Sequence, residues 1–198
     1  MKFPLILLVF LWLLFFASHS WLASERIKNW SYRHIGLSKK SYRLFYSVLS
    51  TFLVGSIYAI PHFYPEKQLF VFSFGLKLIF IFVLILGGII AALPFRYISG
   101  SEFIGLKAPK EESSKTITPL VLNGIYKWVR HPIYSGLILV YFAWFGLFPT
   151  LYNAINTLLI LLYLPIGIYL EEQKLIAHFG SSYLHYKQEV KAIIPKIL

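Results

Sequence analysis

The sequence contains no cysteine. A small scaffold held by disulfides is therefore excluded, and thiolate catalysis and every cysteine-based metal site go with it. Charge is scarce as well: 14% of the 198 residues are charged, against about 25% in an ordinary soluble domain. Acidic groups are the rarer sign, eight against nineteen Lys and Arg. Histidine occurs at His19, His34, His62, His131, His178 and His185 without a two-histidine helical motif, so no metal centre is expected. No Gly-rich dinucleotide fingerprint, internal repeat, low-complexity tract or second soluble domain is present.

Apolar residues fill the space these absences leave. They make up 58% of the chain, with eighteen Phe, fourteen Tyr and five Trp, and the mean hydropathy is +0.67. A water-soluble globule of this size has too little interior to hide that surface, so lipid is the expected solvent. The expected fold is all-α: a polytopic membrane protein forming a single membrane domain over 1–198. A spanning helix needs about 20 largely apolar residues. Five runs approach that length, at 3–23, 44–60, 69–94, 133–148 and 151–170, with Pro61 closing the second and a turn at Pro149 separating the last two. About five transmembrane helices are expected. Lys2 and the first run could also form a cleavable leader, but the run is longer than a typical leader core and no small-x-small cleavage site follows, so a retained span is expected.

The distribution of Lys and Arg predicts orientation. Arg26, Lys28, Arg33, Lys39, Lys40 and Arg43 follow the first run. Arg96, Lys107, Lys110, Lys115, Lys127 and Arg130 follow the third, and Lys174, Lys187, Lys191 and Lys196 follow the fifth. The opposite side holds only Lys2 and Lys67, with Lys77 able to snorkel towards it. The positive-inside rule then predicts an outside N-terminus and a cytosolic C-terminus carrying short amphipathic tail helices. It also assigns the net charge of +11 to loops that meet anionic membrane lipid, and no nucleic-acid partner is expected. The one long polar stretch, 99–119, reads as a solvated connector or as a lid over a site.

The chemistry concentrates after that stretch. Asn123-Gly124-Ile125-Tyr126 leads through Arg130-His131-Pro132-Ile133-Tyr134-Ser135-Gly136 into the fourth run. Pro132 suits the first turn of a helix, which makes His131 the cap position. Free N–H groups there, beside Arg130 and His131, would attract a carboxylate or phosphate; an Arg-His pair touching lipid phosphate is the plainer alternative. The fourth and fifth runs form a hairpin of similar arms, which returns Glu171-Glu172 to the level of Arg130. Adjacent carboxylates at a helix C-terminus need a cation, supplied by Arg130 or by a positively charged ligand. A site anionic on one side and cationic on the other suits a zwitterion with an extra positive centre, of which S-adenosylmethionine is an example. Gly180 is placed to end a helix and Ser181 or Ser182 to cap the next. Tyr183 and Tyr186 then share one face, to line an adenine pocket or to anchor the helix at the interface.

Gly124-Ile125-Tyr126, Arg130-His131-Pro132-x-Tyr134-x-Gly136, Glu171-Glu172, Phe179-Gly180-x-x-Tyr183-x-x-Tyr186 and Pro195 together resemble the isoprenylcysteine carboxyl methyltransferase-like superfamily, which includes phospholipid methyltransferases. The likeness covers about 118–195. It implies a multi-span helical enzyme binding S-adenosylmethionine at the cytosolic face. Arg130, His131, Tyr134, Gly136 and one or both of Glu171 and Glu172 would contact the cofactor or order its pocket, with Tyr126, Tyr183 and Tyr186 nearby. Arg130 would also orient an anionic acceptor or the cofactor carboxylate, and Glu172 rather than Glu171 would hold the cofactor ammonium. In the first half, 1–98, Ser18-His19-Ser20-Trp21-Leu22-Ala23-Ser24 with Ile27-Lys28, Tyr42-Arg43-Leu44 and 102–107 resemble the NnrU-type and methanethiol S-methyltransferase branch. That half would serve a small or lipophilic acceptor arriving from the bilayer, with thiol S-methylation ahead of carboxylate O-methylation and His19 as an acceptor-side base. The alternatives are an NADPH-dependent membrane reductase of related helical layout, or a non-catalytic membrane protein associated with nitric oxide metabolism.

Overall fold

The computed structural model describes residues 2–97, 100–103, 106 and 120–197. Most of the 99–119 stretch, with Lys107, Lys110 and Lys115 and much of the 102–107 segment, lies outside the described residues. Among the described residues the fold is all-helical, with no strand. The chain divides into two compact units, one from 1–65 with 98–118 and the other from 66–97 with 119–198.

In the first unit, α1 (Lys2–Leu22) and α3 (Lys39–Phe63) pack as an antiparallel pair. Phe3 meets Tyr64 at one end, His19 meets Tyr46 near the other, and the Tyr42 hydroxyl donates to the Leu22 carbonyl at 2.8 Å. Leu8 and Trp12 of α1 and Leu53 and Ile57 of α3 are buried. The short α2 (Glu25–Trp30) and a π turn over Ser31–Ile35 join the pair, and Gly36, with φ 71°, closes the turn. Pro61 lies inside the last turn of α3 rather than ending it, so the helix exceeds the expected run at both ends.

In the second unit, α4 (Phe74–Ala92) begins later than the apolar run that starts at Leu69. Residues 66–73 instead run beside the turn before α7, where the Leu69 N–H donates to the Pro149 carbonyl at 2.7 Å. Ser73 caps α4, which places Lys77 in its first turn at the end of the apolar helix rather than inside it. A 3-10 turn over Leu93–Arg96 ends that arm, and the single turn α5 (Gly100–Phe103) belongs to the first unit. A second 3-10 turn, Gly124–Lys127, leads to α6 (Pro132–Leu147), followed by α7 (Leu151–Phe179) and α8 (Ser181–Glu189). Thr150 accepts from the Asn153 N–H, and Glu66 accepts from the Tyr152 N–H at 2.8 Å. The first turn of α7 holds no acid of its own, so Glu66 supplies the charge that the helix N-terminus favours.

Among the described residues, four helices are long and apolar enough to cross a membrane: 3–22, α3, 74–96 and α7. The fourth apolar run forms α6, whose 16 residues span about 24 Å at 1.5 Å per residue. That falls short of the roughly 30 Å hydrocarbon thickness. Conversely, α7 continues nine residues past Leu170, since Glu171-Glu172-Gln173-Lys174-Leu175 are good helix formers.

The closest helix crossing lies between α4 and α6. A Cβ on Gly87 would come within 2.8 Å of the Gly136 carbonyl oxygen, and one on Gly136 within 2.5 Å of the Gly87 oxygen. Small residues that let backbones meet are the usual packing device where lipid supplies no hydrophobic drive between helices. Gly88, the next residue of α4, faces open space. In detergent, Gly87→Ala is expected to lower the melting temperature by several degrees. Gly88→Ala should leave it unchanged or slightly higher, since alanine favours the helix by about 0.5–1 kcal/mol. Equal melting temperatures for the two variants would contradict this packing.

Candidate functional site

Arg130 and His131 precede α6 at the level where α7 returns. Pro132 occupies the first helical position and His131 the cap, with φ −122° and no side-chain bond to the helix N–H groups. The hairpin is antiparallel along its length. Asn153 Nδ2 donates to the Phe148 carbonyl at the turn, Thr157 bonds the Tyr141 carbonyl midway, and Glu172 meets Arg130 at the far end.

Glu172 is 4% exposed, yet it is encircled by donors. Arg130 Nε and Nη2 donate to its Oε1 at 2.9 and 2.7 Å, His131 Nε2 stands at 3.2 Å, and the Tyr183 hydroxyl donates at 3.4 Å. Lys187 Nζ holds Oε2 at 2.5 Å. A buried carboxylate is tolerable only with this kind of compensation. The remaining nitrogen of Arg130, Nη1, donates to the Lys187 and Val190 carbonyls at the end of α8. One guanidinium therefore grips α7 with one edge and caps α8 with the other.

The C-terminal tail completes the arrangement. The Arg130 and His131 N–H groups donate to the Lys191 and Ala192 carbonyls at 2.8 and 2.9 Å, and the Ser135 hydroxyl donates to the Ile193 carbonyl at 2.7 Å. The backbone donors of Arg130 and His131 are thus bonded within the chain. The cations paired with Glu172 are Arg130 and Lys187.

Glu171 differs from its neighbour. Its side chain is 47% exposed and its Oε2 lies 3.5 Å from His131 Nδ1, so the His131 ring stands between two carboxylates and donates to both only when protonated. Tyr134 stacks near the His131 ring, centroids 5.6 Å apart, and Tyr134 and Lys174 both act on Glu171. Tyr183 is buried against Glu172, and the Tyr186 hydroxyl donates to the Tyr126 carbonyl at 2.7 Å. Gly180, at φ 57° and ψ −131°, permits the one-residue turn from α7 into α8 that brings these tyrosines back. It holds both the end of one helix and the cap of the next, so neither Ser181 nor Ser182 caps α8.

The structure therefore brings together Tyr126, Arg130, His131, Tyr134, Glu171, Glu172, Tyr183 and Tyr186. Gly136 faces α4, where it serves the helix crossing. His19 belongs to the first unit. There the Tyr46 hydroxyl lies 2.8 Å from both its ring nitrogens and Ser50 Oγ lies 3.4 Å from Nδ1. Lys187, Ser135 and the carbonyls of 190–193 were not foreseen. Lys187 carried a signal, one turn after Tyr183 on the same helix face; the tail carbonyls carried none. Among the described residues no cluster of three potential metal ligands occurs.

Burial pushes the Tyr183 hydroxyl well above its ordinary range, reinforced by the charge of Glu172, and burial pushes Tyr186 up to about 12. Both tyrosines are thus kept neutral in the fold beyond the pH where they ionise in the unfolded chain. Their contribution to stability is intact below about pH 10 and is lost as pH rises towards 12. Tyr186→Phe should flatten that alkaline loss in a melting-temperature series; an unchanged slope would contradict it. Glu172→Gln leaves Arg130 and Lys187 facing a neutral amide and should cost a few kcal/mol, at or below the roughly 3–5 kcal/mol of a broken buried pair. Exposed Glu189→Gln should be neutral by the same chemical-denaturation measurement.

No family model matches the chain, and no solved structure matches it. Several curated proteins do. Methanethiol S-methyltransferase 1 of Bradyrhizobium diazoefficiens is 29% identical over 187 residues, covering 92% of this chain and 64% of that protein. Methanethiol S-methyltransferase of a Pseudomonas species is 30% identical over 186 residues, 92% of this chain and 70% of the relative. Protein-S-isoprenylcysteine O-methyltransferase of Saccharomyces cerevisiae is 28% identical over 143 residues, 68% of this chain and 56% of the relative. The chain thus spans less than two thirds of the first and third of these proteins.

Proposed function

The chain belongs to the isoprenylcysteine carboxyl methyltransferase-like family, and from that premise we propose that it is an integral membrane methyltransferase using S-adenosylmethionine, with its site facing the cytosol. The observation that carries this reading is the paired-carboxylate cluster at the head of the α6–α7 hairpin, where a half-exposed Glu171 adjoins a fully compensated Glu172. The donor set fits a ligand of this charge. Glu171 offers an acceptor for an ammonium and the half-buried Tyr126 offers aromatic surface, while Tyr183 and Tyr186, themselves buried, would order the pocket from behind. The positive-inside bias argues for the cytosolic face. The acceptor proposed is a small or lipophilic thiol from the bilayer, because the methanethiol S-methyltransferases align with 92% of the chain and the yeast prenylcysteine enzyme with 68%. Carboxylate O-methylation stands next.

When bound, the cofactor's sulfonium supplies an activated methyl group. The chain's part is to bind, orient and exclude water. Glu171, rather than the Glu172 that the sequence suggests, would hold the cofactor's ammonium, because Glu172 is buried and engaged by Arg130 and Lys187; His131 would fix the Glu171 carboxylate through Nδ1. Arg130, closed around Glu172 and the end of α8, would keep the walls of the site in register, and any anion it orients must compete with Glu172. In the first unit, His19 would accept a proton from the acceptor at a ring nitrogen, steadied by the Tyr46 hydroxyl.

Calorimetric titration of the detergent-purified protein with S-adenosylmethionine tests the reading. Binding is expected, weakened about tenfold or more in Arg130→Ala and Glu172→Gln. His19→Ala should lose thiol methylation while keeping cofactor affinity; unchanged turnover would remove His19 from the chemistry. A folded protein that binds NADPH but not S-adenosylmethionine would overturn the proposal.

A further inference from the structure

We propose that Lys187 is the positioning residue that gives the two adjacent glutamates different tasks, sealing Glu172 into the scaffold and leaving Glu171 to receive a cationic ligand. This inference rests on the cofactor reading above. The two side chains are neighbours on α7 with the same chemistry, so some group must make them unequal. Arg130 alone does not do so fully, since its two contacts both fall on Oε1 of Glu172 and leave Oε2 to be satisfied elsewhere. Lys187 supplies that second cation at 2.5 Å. A carboxylate accepts at two oxygens, and with both engaged and the side chain 5% exposed Glu172 is closed to an incoming ammonium.

Glu171 receives no comparable clamp. It shares the His131 ring with Glu172 at the longer distance of 3.5 Å, and although Tyr134 and Lys174 also act on it, its side chain stays 47% exposed. Lys187 is suited to the sealing task by its own position. Its backbone carbonyl accepts from Arg130 Nη1 while its ammonium reaches Glu172, so the turn of α8 is fixed by the same guanidinium that the ammonium assists. Tyr183, four residues earlier on that face, bonds the same carboxylate and sets the rotation of α8. The side chain of Lys187 is 41% exposed, so removing its charge leaves no buried cavity.

A double-mutant cycle with two readouts tests the assignment, using wild type, Lys187→Met, Glu171→Gln and both together. In S-adenosylmethionine titrations, Glu171→Gln should weaken binding about tenfold in the wild-type background and about threefold or less in Lys187→Met, where the freed Oε2 of Glu172 takes its place. The same loss in both backgrounds would overturn the proposal, as would a negligible loss in the wild-type background. Lys187→Arg keeps the clamp and should keep the full sensitivity to Glu171→Gln. The second readout needs no cofactor: in melting temperature, Lys187→Met and Glu172→Gln should be non-additive, and additivity would overturn the clamp. Non-additive melting with no S-adenosylmethionine binding in wild type would leave the clamp standing and sink the cofactor reading instead.

Discussion

A buried glutamate that must not be left alone governs the second unit. Glu172 sits 4% exposed about two turns before the end of α7, where little water reaches its charge. An uncompensated charge there would cost several kcal/mol. Arg130 answers it through a planar fork, and the geometry of that fork decides what else is held. Two nitrogens face α7, and the third reaches the last carbonyls of α8. A lysine at position 130 could neutralise Glu172 but could not cap α8 in the same stroke.

Around that pair the other elements take their places. The tail follows because the Arg130 and His131 N–H groups require acceptors, and the carbonyls of Lys191 and Ala192 supply them. At the opposite end of the hairpin, Glu66 places an opposite charge at the start of α7. Between these ends α6 is pressed against α4 through Gly87 and Gly136. The site is thus mounted on a hairpin restrained at both termini. The exposed carboxylate of Glu171 stands beside a rigid neighbour, an arrangement suited to holding a small cationic group in one orientation.

Much of this could be read from the residues in order. The apolar runs announced the helices, and the similar arms of the hairpin brought Glu172 to Arg130. Pro132 fixed the start of α6 and the cap position of His131. Other features had no local signal. The apolar residues from Leu69 to Val71 look like helix, but they lie outside α4, and the Leu69 N–H bonds the Pro149 carbonyl instead. The run that became α6 ends at Leu147 because Pro149 follows, and so falls short of a full span. Gly136 reads as part of a motif, whereas its neighbours Gly87 and Ala91 lie some fifty residues away in sequence. The inequality of Glu171 and Glu172 was invisible for a related reason: it depends on where Lys187 and the extended tail fall, and no periodicity encodes that.

Amide hydrogen exchange on the protein in lipid would test most directly whether the Arg130–Glu172 pair holds this unit together. In the wild type, the Arg130 and His131 amides and those of α8 should be protected together. In Glu172→Gln they should lose protection as one group, while the α4–α6 crossing at Gly87 and Gly136 stays protected. Undiminished protection of α8 and of the Arg130 and His131 amides in that variant would contradict the account.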